Sequence, residues 1–281
     1  MVKHIAVGLD GSAGAAAAVK LSLDLARRLH GVVHGIHVVD ATFLEGAFIT
    51  DISGAMGFEP FLNLQAQMRA TLDDLAGVIR SDFASRCQAA GVESQFHLER
   101  ASVSHGLLAA AKLADLVVVG QRGVNARFHE DLLGSTTDTM LRRSPLPVLV
   151  VPQDAELPHR PLAAYDGSPK AVRALQQAAD LARALELPLT VVTVDTKEDR
   201  GRARLDEAAR YLAPYDVRAG YELQRGEAVE QELLAMLEPG EYDMVFLGAH
   251  GHGRIVELAI GSTSQYLARR ATVPVWCVTR V

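Results

Sequence analysis

The chain has 281 residues, a formal net charge of −6 and no basic stripe, and these features exclude several classes of protein. The acidic balance argues against nucleic acid as a partner. Two cysteines, Cys87 and Cys277, form no CxxC pair, which is typical of reduced side chains and favours a cytoplasmic location. The first apolar run is short, so we expect neither a signal peptide nor a membrane-spanning helix.

The sequence contains two copies of one unit. An apolar run, Asp-Gly-Ser and an amphipathic helical pattern occupy His4–Leu29 and recur at Pro161–Glu186, so that Asp10 corresponds to Asp166. The later block LLGSTTDTMLRRSPLPVLVVP likewise corresponds to AIGSTSQYLARRATVPVWCVT. A period this long indicates a duplicated domain and not a solenoid, whose repeats span about 20–50 residues.

The duplication defines the domains. A polar, proline-rich stretch separates the two copies and is interpreted as a linker. The predicted units are domain 1 at 1–152, the linker at 153–160 and domain 2 at 161–281.

Each copy alternates strand and helix patterns. The strands of the first copy are predicted at His4–Leu9, Val32–Val39, Ser94–Leu98, Leu116–Gly120 and Val148–Val151. Their nearly continuous apolar character is typical of parallel strands that are buried on both faces. The predicted fold class is therefore α/β, with two tandem open parallel five-stranded sheets flanked by helices. Ligands of such sheets bind at the carboxyl ends of the strands, where the strand order switches.

A glycine-rich stretch follows the fourth strand of the second copy. Gly248 and Gly251 allow the backbone to turn and to approach a ligand closely. Gly261 then opens the last helix, whose first N–H groups lack intrahelical partners and favour an anion. Ser262 and Thr263 add hydroxyl donors for a phosphate. The structural alternative is a flexible turn followed by a Ser/Thr N-cap.

The spacing Gly248-x2-Gly251-x9-Gly261-Ser262 resembles the nucleotide motif of the universal stress protein family. The Asp-Gly-Ser after the first strand and the closing strands PVLVV and PVWCV are similar to that family as well. The resemblance covers nearly the whole chain twice. It implies a tandem universal stress protein with the adenine nucleotide alpha-hydrolase-like fold.

The resemblance further implies an adenine nucleotide as ligand, ATP first and AMP or ADP as alternatives, with Mg²⁺ as an optional companion. In the second half the matching cofactor-binding positions are Asp166, Val194, Gly248, Gly251, Gly261, Ser262 and Thr263. In the first half they are Asp10, Val38, Gly120, Gly123, Gly134, Ser135 and Thr136.

The first half departs from the family motif because its spacing is Gly123-x10-Gly134, one residue longer. We therefore favour binding in the second half and retain the first half as a second site. One feature argues the other way: the segment Ala41–Gln65, rich in glycine and aromatic residues, is interpreted as a lid or a disordered loop over the first site.

Other polar residues have simpler interpretations. His250 and His252 lie in the glycine stretch and are expected to contact phosphate, because two ligands do not make a metal site. His34 and His37 are expected to be structural. The run His129–Asp131 is interpreted as a polar loop face, since no G-x-S-x-G elbow is present. We identify no catalytic residue and no metal ligand set.

These features predict a nucleotide-binding regulatory protein of the stress response and not an enzyme. A non-nucleotide-binding scaffold and a slow ATPase are the alternatives. Because last strands pair in dimers of the family, PVLVV and PVWCV are expected to pair within one chain as a pseudo-dimer. A further homodimer and an unidentified protein partner complete the expected interactions.

Overall fold

The computed structural model describes residues 2–40, 61–124, 133–237, 240–249 and 261–280, and of residues 61–66 only the backbone. The first half contains strands β1 His4–Leu9, β2 Val32–Asp40, β3 Ser94–Ala101, β4 Leu116–Gly120 and β5 Val148–Val151. The second half contains β6 Pro161–Ala164, β7 Leu189–Val194, β8 Ala219–Gln224, β9 Met244–Gly248 and β10 Val275–Val278.

Helices connect the strands in both halves. Those of the first half are α1 Ala13–Leu29, α2 Phe61–Ala90, α3 Val103–Ala110, which continues into a 3₁₀ turn at Ala111–Leu113, and α4 Ser135–Arg143. Those of the second half are α5 Pro169–Ala184, α6 Glu198–Leu212, α7 Val229–Leu237 and α8 Ser262–Arg270.

All ten strands belong to one sheet with the order β3-β2-β1-β4-β5-β10-β9-β6-β7-β8. Within each half every strand pair is parallel. The predicted α/β class with two parallel five-stranded sheets is confirmed, and the two sheets are joined edge to edge. In each half the strand order switches beside the first strand, between β1 and β4 and between β6 and β9, which is where open α/β sheets bind ligands.

The two halves meet where β5 and β10 pair antiparallel, as the sequence analysis expected. Leu149 lies opposite Trp276 at the centre of this ladder, and both side chains are fully buried. Pairing these strands with each other removes two exposed sheet edges, which would otherwise offer unpaired N–H and C=O groups.

The core forms on both faces of the sheet. Helix α1 packs an apolar side that includes Leu21 and Leu25 on one face, together with α5. On the other face Met140 of α4 and Leu267 of α8 are buried. Each such side chain contributes roughly 1.5–3 kcal/mol by leaving water, so this two-sided burial stabilises the sheet.

Two predicted boundaries differ from the observed ones. Strand β3 extends three residues past Leu98, and the last five residues of the predicted segment Ala41–Gln65 already belong to α2. Residues 41–60 lie outside the described residues. The linker is packed against the protein and not free, since Ala155 is buried and Leu157 contacts the core. None of the helices in the described ranges is long and apolar enough to cross a membrane.

Candidate anion-binding site

The Asp-Gly-Ser turn after β1 has a well-defined structure. The backbone N–H of Ser12 donates to Oδ1 of Asp10 over 2.9 Å, and Gly11 adopts φ = +78°, a conformation that favours glycine. Oγ of Ser12 then accepts the N–H of Ala15 at 3.1 Å and caps α1. The motif therefore shapes the turn and starts the helix.

The second half repeats this turn with the same contacts. The N–H of Ser168 donates to Oδ1 of Asp166 over 2.9 Å, Gly167 has φ = +81°, and Oγ of Ser168 accepts the N–H of Ala171 at 3.2 Å. Both aspartates thus lie at the carboxyl end of the first strand of their half, beside the switch in strand order.

A side chain of the neighbouring strand fixes the peptide just before each aspartate. Nδ1 of buried His37 donates to the carbonyl of Leu9 at 2.7 Å. In the second half Oγ1 of Thr193 donates to the carbonyl of Tyr165 at 2.9 Å. The expectation that His37 is structural is confirmed, and this bond holds the Asp10 turn against β2.

The last helix of each half begins with glycine at its N-cap. Gly134 precedes α4 and Gly261 precedes α8, and glycine has no side chain with which to cap. Ser135 and Ser262 are the first helical residues and are exposed. The alternative interpretation as a Ser/Thr N-cap is therefore wrong. It leaves the first backbone N–H groups of both helices in the positions that suit an anion.

Backbone hydrogen bonds bring each helix start to the end of the preceding parallel strand. The N–H of Gly134 donates to the carbonyl of Gln121 at 3.1 Å, directly after β4. The N–H of Gly261 donates to the carbonyl of Ala249 at 2.6 Å, directly after β9. The structure thus brings together Gly120 with Gly134, and Gly248 with Gly261, as the motif requires.

Sequence reasoning missed a third hydroxyl that secures this arrangement. Oγ1 of Thr137 donates to the carbonyl of Gly120 at 2.7 Å, and Oγ of Ser264 donates to the carbonyl of Gly248 at 3.0 Å. Both residues are buried and hold their helix to the strand end. The available signal was a hydroxyl residue at the corresponding position of both copies. Thr136 and Thr263, which precede them, are half-buried.

The first-half site is closely packed by backbone. A Cβ on Gly14 of α1 would lie 2.2 Å from the carbonyl oxygen of Arg122, and one on Gly120 would lie 2.6 Å from the carbonyl carbon of Gly14. A Cβ on Gly123 would lie 2.7 Å from Oδ2 of Asp10. These glycines are required because the start of α1, the end of β4 and the Asp10 carboxylate converge here.

The second half places a lysine where the first half has Gly14. A Cβ on Gly248 would lie 2.8 Å from Cβ of Lys170, in the first turn of α5. Lys170 is half-buried, and its pKa is lowered first by this burial and then by the positive charge of Arg280. Sequence analysis did not single out Lys170. The second site therefore has a cationic side chain at the strand end that the first lacks.

The remaining predicted residues have mixed outcomes. Val38 and Val194 are half-buried and pack against the core beneath α3 and α7. Gly251, His250 and His252 lie outside the described residues, as does the run 129–131. Within the described ranges no group of three or more His, Cys, Asp or Glu side chains is arranged to hold a metal ion.

Comparison with known proteins gives consistent matches along the chain. The family model described as the universal stress protein family matches residues 1–152 and 159–279. Universal stress protein Slr1230 of Synechocystis sp. is 30% identical over 284 residues, which cover 98% of this chain and 99% of that protein. A universal stress protein of Mycolicibacterium smegmatis is 32% identical over 208 residues, or 67% of this chain and 69% of that protein.

A solved structure matches the whole fold. The crystal structure of a universal stress protein from Archaeoglobus fulgidus aligns with a TM-score of 0.78 at 20% identity, covering 99% of this chain and 98% of that one. At this identity the match supports the tandem α/β architecture alone.

Proposed function

This chain belongs to the universal stress protein family, and we propose that it binds an adenine nucleotide, ATP in the first place, as a regulatory protein of the stress response. One observation carries the proposal. The glycine-capped start of α8 is hydrogen-bonded at Gly261 to the backbone that follows β9, beside the switch in strand order. Backbone N–H groups at such a helix start favour phosphate.

Charge favours the second half as the principal site. Lys170 lies beside Gly248, and a cation next to the helix start adds a charge-assisted contact to a phosphate group. In the first half the N–H of Val124 donates to Oδ2 of Asp10 at 3.3 Å, so part of the loop backbone is already engaged. The motif of the first half is also one residue longer.

The proposed role is binding and not rapid turnover. The described residues of the site offer carboxylates that are held in their own turns, as Asp10 is by Ser12 and Asp166 by Ser168. A general base must reach an attacking water, and no residue in the described ranges is placed for that task. Any Mg²⁺ would accompany the nucleotide phosphates.

Titration of the purified chain with ATP tests the proposal. We expect saturable binding, measured by calorimetry, that weakens about tenfold in Lys170→Met, since a charge-assisted contact is worth roughly 1.5–3 kcal/mol. The matched control is Lys20→Met on α1, which removes an exposed lysine remote from the strand ends and should leave affinity unchanged.

The alternative functions give different results. If no ATP, ADP or AMP binds at millimolar concentration, the proposal fails and the scaffold interpretation replaces it. If phosphate is released at about 1 s⁻¹ or faster, the protein works as an enzyme and the regulatory assignment fails. Selective loss of binding in Gly134→Val, with Lys170→Met unaffected, would assign the nucleotide to the first half.

A cytoplasmic location and a homodimer of the tandem chain stay predictions. Both cysteines, Cys87 and Cys277, are buried and unpaired, which suits a reducing compartment. Sedimentation of the purified chain would establish its oligomeric state.

A further inference from the structure

A cavity of about 280 Å³ lies where the two halves meet, on the face of the sheet that carries α1 and α5. Val2, Leu29 and Leu181 provide apolar wall, and Trp276 of β10 contributes its indole. Asp115 and Asp180 place two carboxylates on the same wall. We call this cavity the seam groove.

The duplication creates a counterpart of the seam groove. An offset of 156 residues relates Leu29 to Leu185 and Asp180 to Asp24, and the antiparallel ladder relates Trp276 to Leu149. Because the two halves adopt the same fold around this ladder, the same surfaces form a second groove on the other side of the seam.

The linker occupies the counterpart groove. Ala155 is 5% exposed, Leu157 packs against the core and Pro158 is buried. Between them Glu156 reaches Lys20 on α1, with 3.8 Å between Oε1 and Nζ. The chain therefore contains an example of what such a groove accommodates: an extended segment with a small apolar residue, a charged residue, and Leu-Pro.

The seam groove differs from its counterpart in charge. Gln176 of α5 corresponds to Lys20 of α1, so the cation that pairs with Glu156 is missing, whereas the carboxylate of Asp180 is kept. The wall is also more polar, because Nε1 of Trp276 donates to Oε1 of Gln177 at 2.6 Å where the counterpart has Leu149 and Leu21. A segment in the seam groove is thus expected to carry a positive charge in place of Glu156.

We propose that the seam groove binds an extended peptide segment of another protein with the pattern small apolar–basic–Leu-Pro. The apolar side chains enter between Leu29 and Leu181, and the basic side chain lies near Asp180 and Asp115. Ligand sites occur preferentially at domain interfaces, and a groove of this volume accommodates two or three side chains. This assignment is independent of nucleotide binding, which concerns the opposite ends of the parallel strands of the first half.

The protein offers a direct probe of the proposal. Trp276 is the only tryptophan in the sequence and lies in the groove wall, so its fluorescence reports occupancy. Two capped peptides are titrated: the linker sequence QDAELP and its variant QDAKLP. We expect QDAKLP to change the emission saturably, with an affinity at least about fivefold higher than that of QDAELP, as expected for a charge reversal near exposed carboxylates.

A pair of matched variants assigns the effect to the groove. Asp180→Lys should reverse the preference between the two peptides, whereas Asp24→Lys, the same change at the corresponding position of α1, should not. Far-ultraviolet circular dichroism confirms folding, and Asp180→Asn, which should abolish the preference, replaces Asp180→Lys if the latter is misfolded.

Three outcomes would overturn the proposal. They are no emission change with either peptide at millimolar concentration, an equal effect of Asp24→Lys and Asp180→Lys, and an emission change as large with lysine amide alone as with QDAKLP. The last result would identify a site for small organic cations. Self-association of the chain that is competed by neither peptide would likewise assign the groove to a second copy.

Discussion

Leu149 and Trp276 lie directly opposite each other in the antiparallel ladder and are also each other's counterparts in the duplicated sequence. A local twofold axis therefore passes between them, and each half presents the same strand to the other. The two residues have nevertheless diverged from each other. The indole of Trp276 has acquired an acceptor, Gln177, at a position where the first half has Leu21.

This divergence predicts a measurable coupling between Trp276 and Gln177. Gln177→Leu removes the acceptor of the indole N–H, and Trp276→Phe removes the donor. We expect each change to lower the free energy of unfolding and the double variant to lose about 1 kcal/mol less than the sum, the net value of one hydrogen bond. Urea unfolding of the four proteins gives the cycle. Strict additivity would mean that water from the adjoining groove replaces Gln177 fully.

A second prediction concerns a hydrogen bond that crosses the seam. Nε2 of buried Gln121, in the first half, lies 3.0 Å from the carbonyl oxygens of both Ala268 and Ala271, at the end of α8. Gln121→Leu keeps the size of the side chain but removes the donor. We expect a loss of about 2 kcal/mol, because two carbonyls at a helix terminus lose their partner.

The control for this prediction is another glutamine at the same seam. Gln265 is half-buried and its Nε2 is 3.4 Å from Oδ1 of Asp138, a long contact. Gln265→Leu should therefore change stability by less than about 0.5 kcal/mol. Chemical denaturation of both variants makes the comparison. Equal losses would show that the Gln121 bonds carry no special weight.

A third prediction contrasts two helical glycines. A Cβ on Gly14 would lie 2.2 Å from the backbone oxygen of Arg122, whereas one on Gly77 in α2 would have no atom within 4 Å. Gly14→Ala must displace backbone and should cost about 1–3 kcal/mol, as overpacking does. Gly77→Ala should stabilise the protein by about 0.5–1 kcal/mol through helix propensity.

Thermal unfolding should thus move in opposite directions for the two alanine variants. A loss of stability in Gly77→Ala would show that helix propensity is not the dominant factor there. An unchanged melting temperature in Gly14→Ala would show that the loop after β4 moves aside at little cost, and that the first-half site is less rigid than its packing indicates.

The fold could be predicted from the sequence because the strands are buried on both faces. Strands β1, β4 and β5 have the predicted bounds, since an apolar run such as LVVVG begins and ends at polar or glycine residues. The start of α2 could not be predicted in this way. Its first residues, FLNLQ, resemble the aromatic, glycine-rich stretch before them and carry no N-cap signal.

The candidate site was only partly predictable. The glycines could be found because their spacing repeats in both copies. Lys170 could not, because it stands alone in an otherwise ordinary helix start and its position beside Gly248 arises from tertiary packing. Thr137 and Ser264 were overlooked because neighbouring hydroxyl residues masked which one contacts the strand.

The same holds for a row of histidines that only sheet pairing brings together. His4, His34 and His97 lie on β1, β2 and β3, and their rings form two contacts: Nδ1 of His4 to Nε2 of His34 at 3.1 Å, and Nδ1 of His34 to Nε2 of His97 at 3.3 Å. Each contact needs one nitrogen with a proton and one without. Three uncharged rings satisfy both contacts, and so does the row with one extra proton on His34, but three fully protonated rings satisfy neither.

The final prediction is a loss of stability on acidification through this row. Burial lowers the pKa of His34, and His97 and His4 lower it further, while Glu93 opposes them. Asp115, the other nearby acid, binds the backbone N–H of His4. Below about pH 6.5 the unfolded chain therefore binds a proton at this position that the folded chain binds only at lower pH. Since the unfolded state binds more protons, the free energy of unfolding falls as pH drops through this window.

Urea unfolding at pH 7.5 and pH 5.5 measures the effect, and His34→Gln provides the variant that cannot titrate. The wild type should lose more stability than His34→Gln between the two pH values. Nuclear magnetic resonance titration of the His34 ring should give a midpoint below that of an exposed histidine such as His30. An equal pH dependence of the two proteins would assign the acid sensitivity to other groups and leave the row as packing alone.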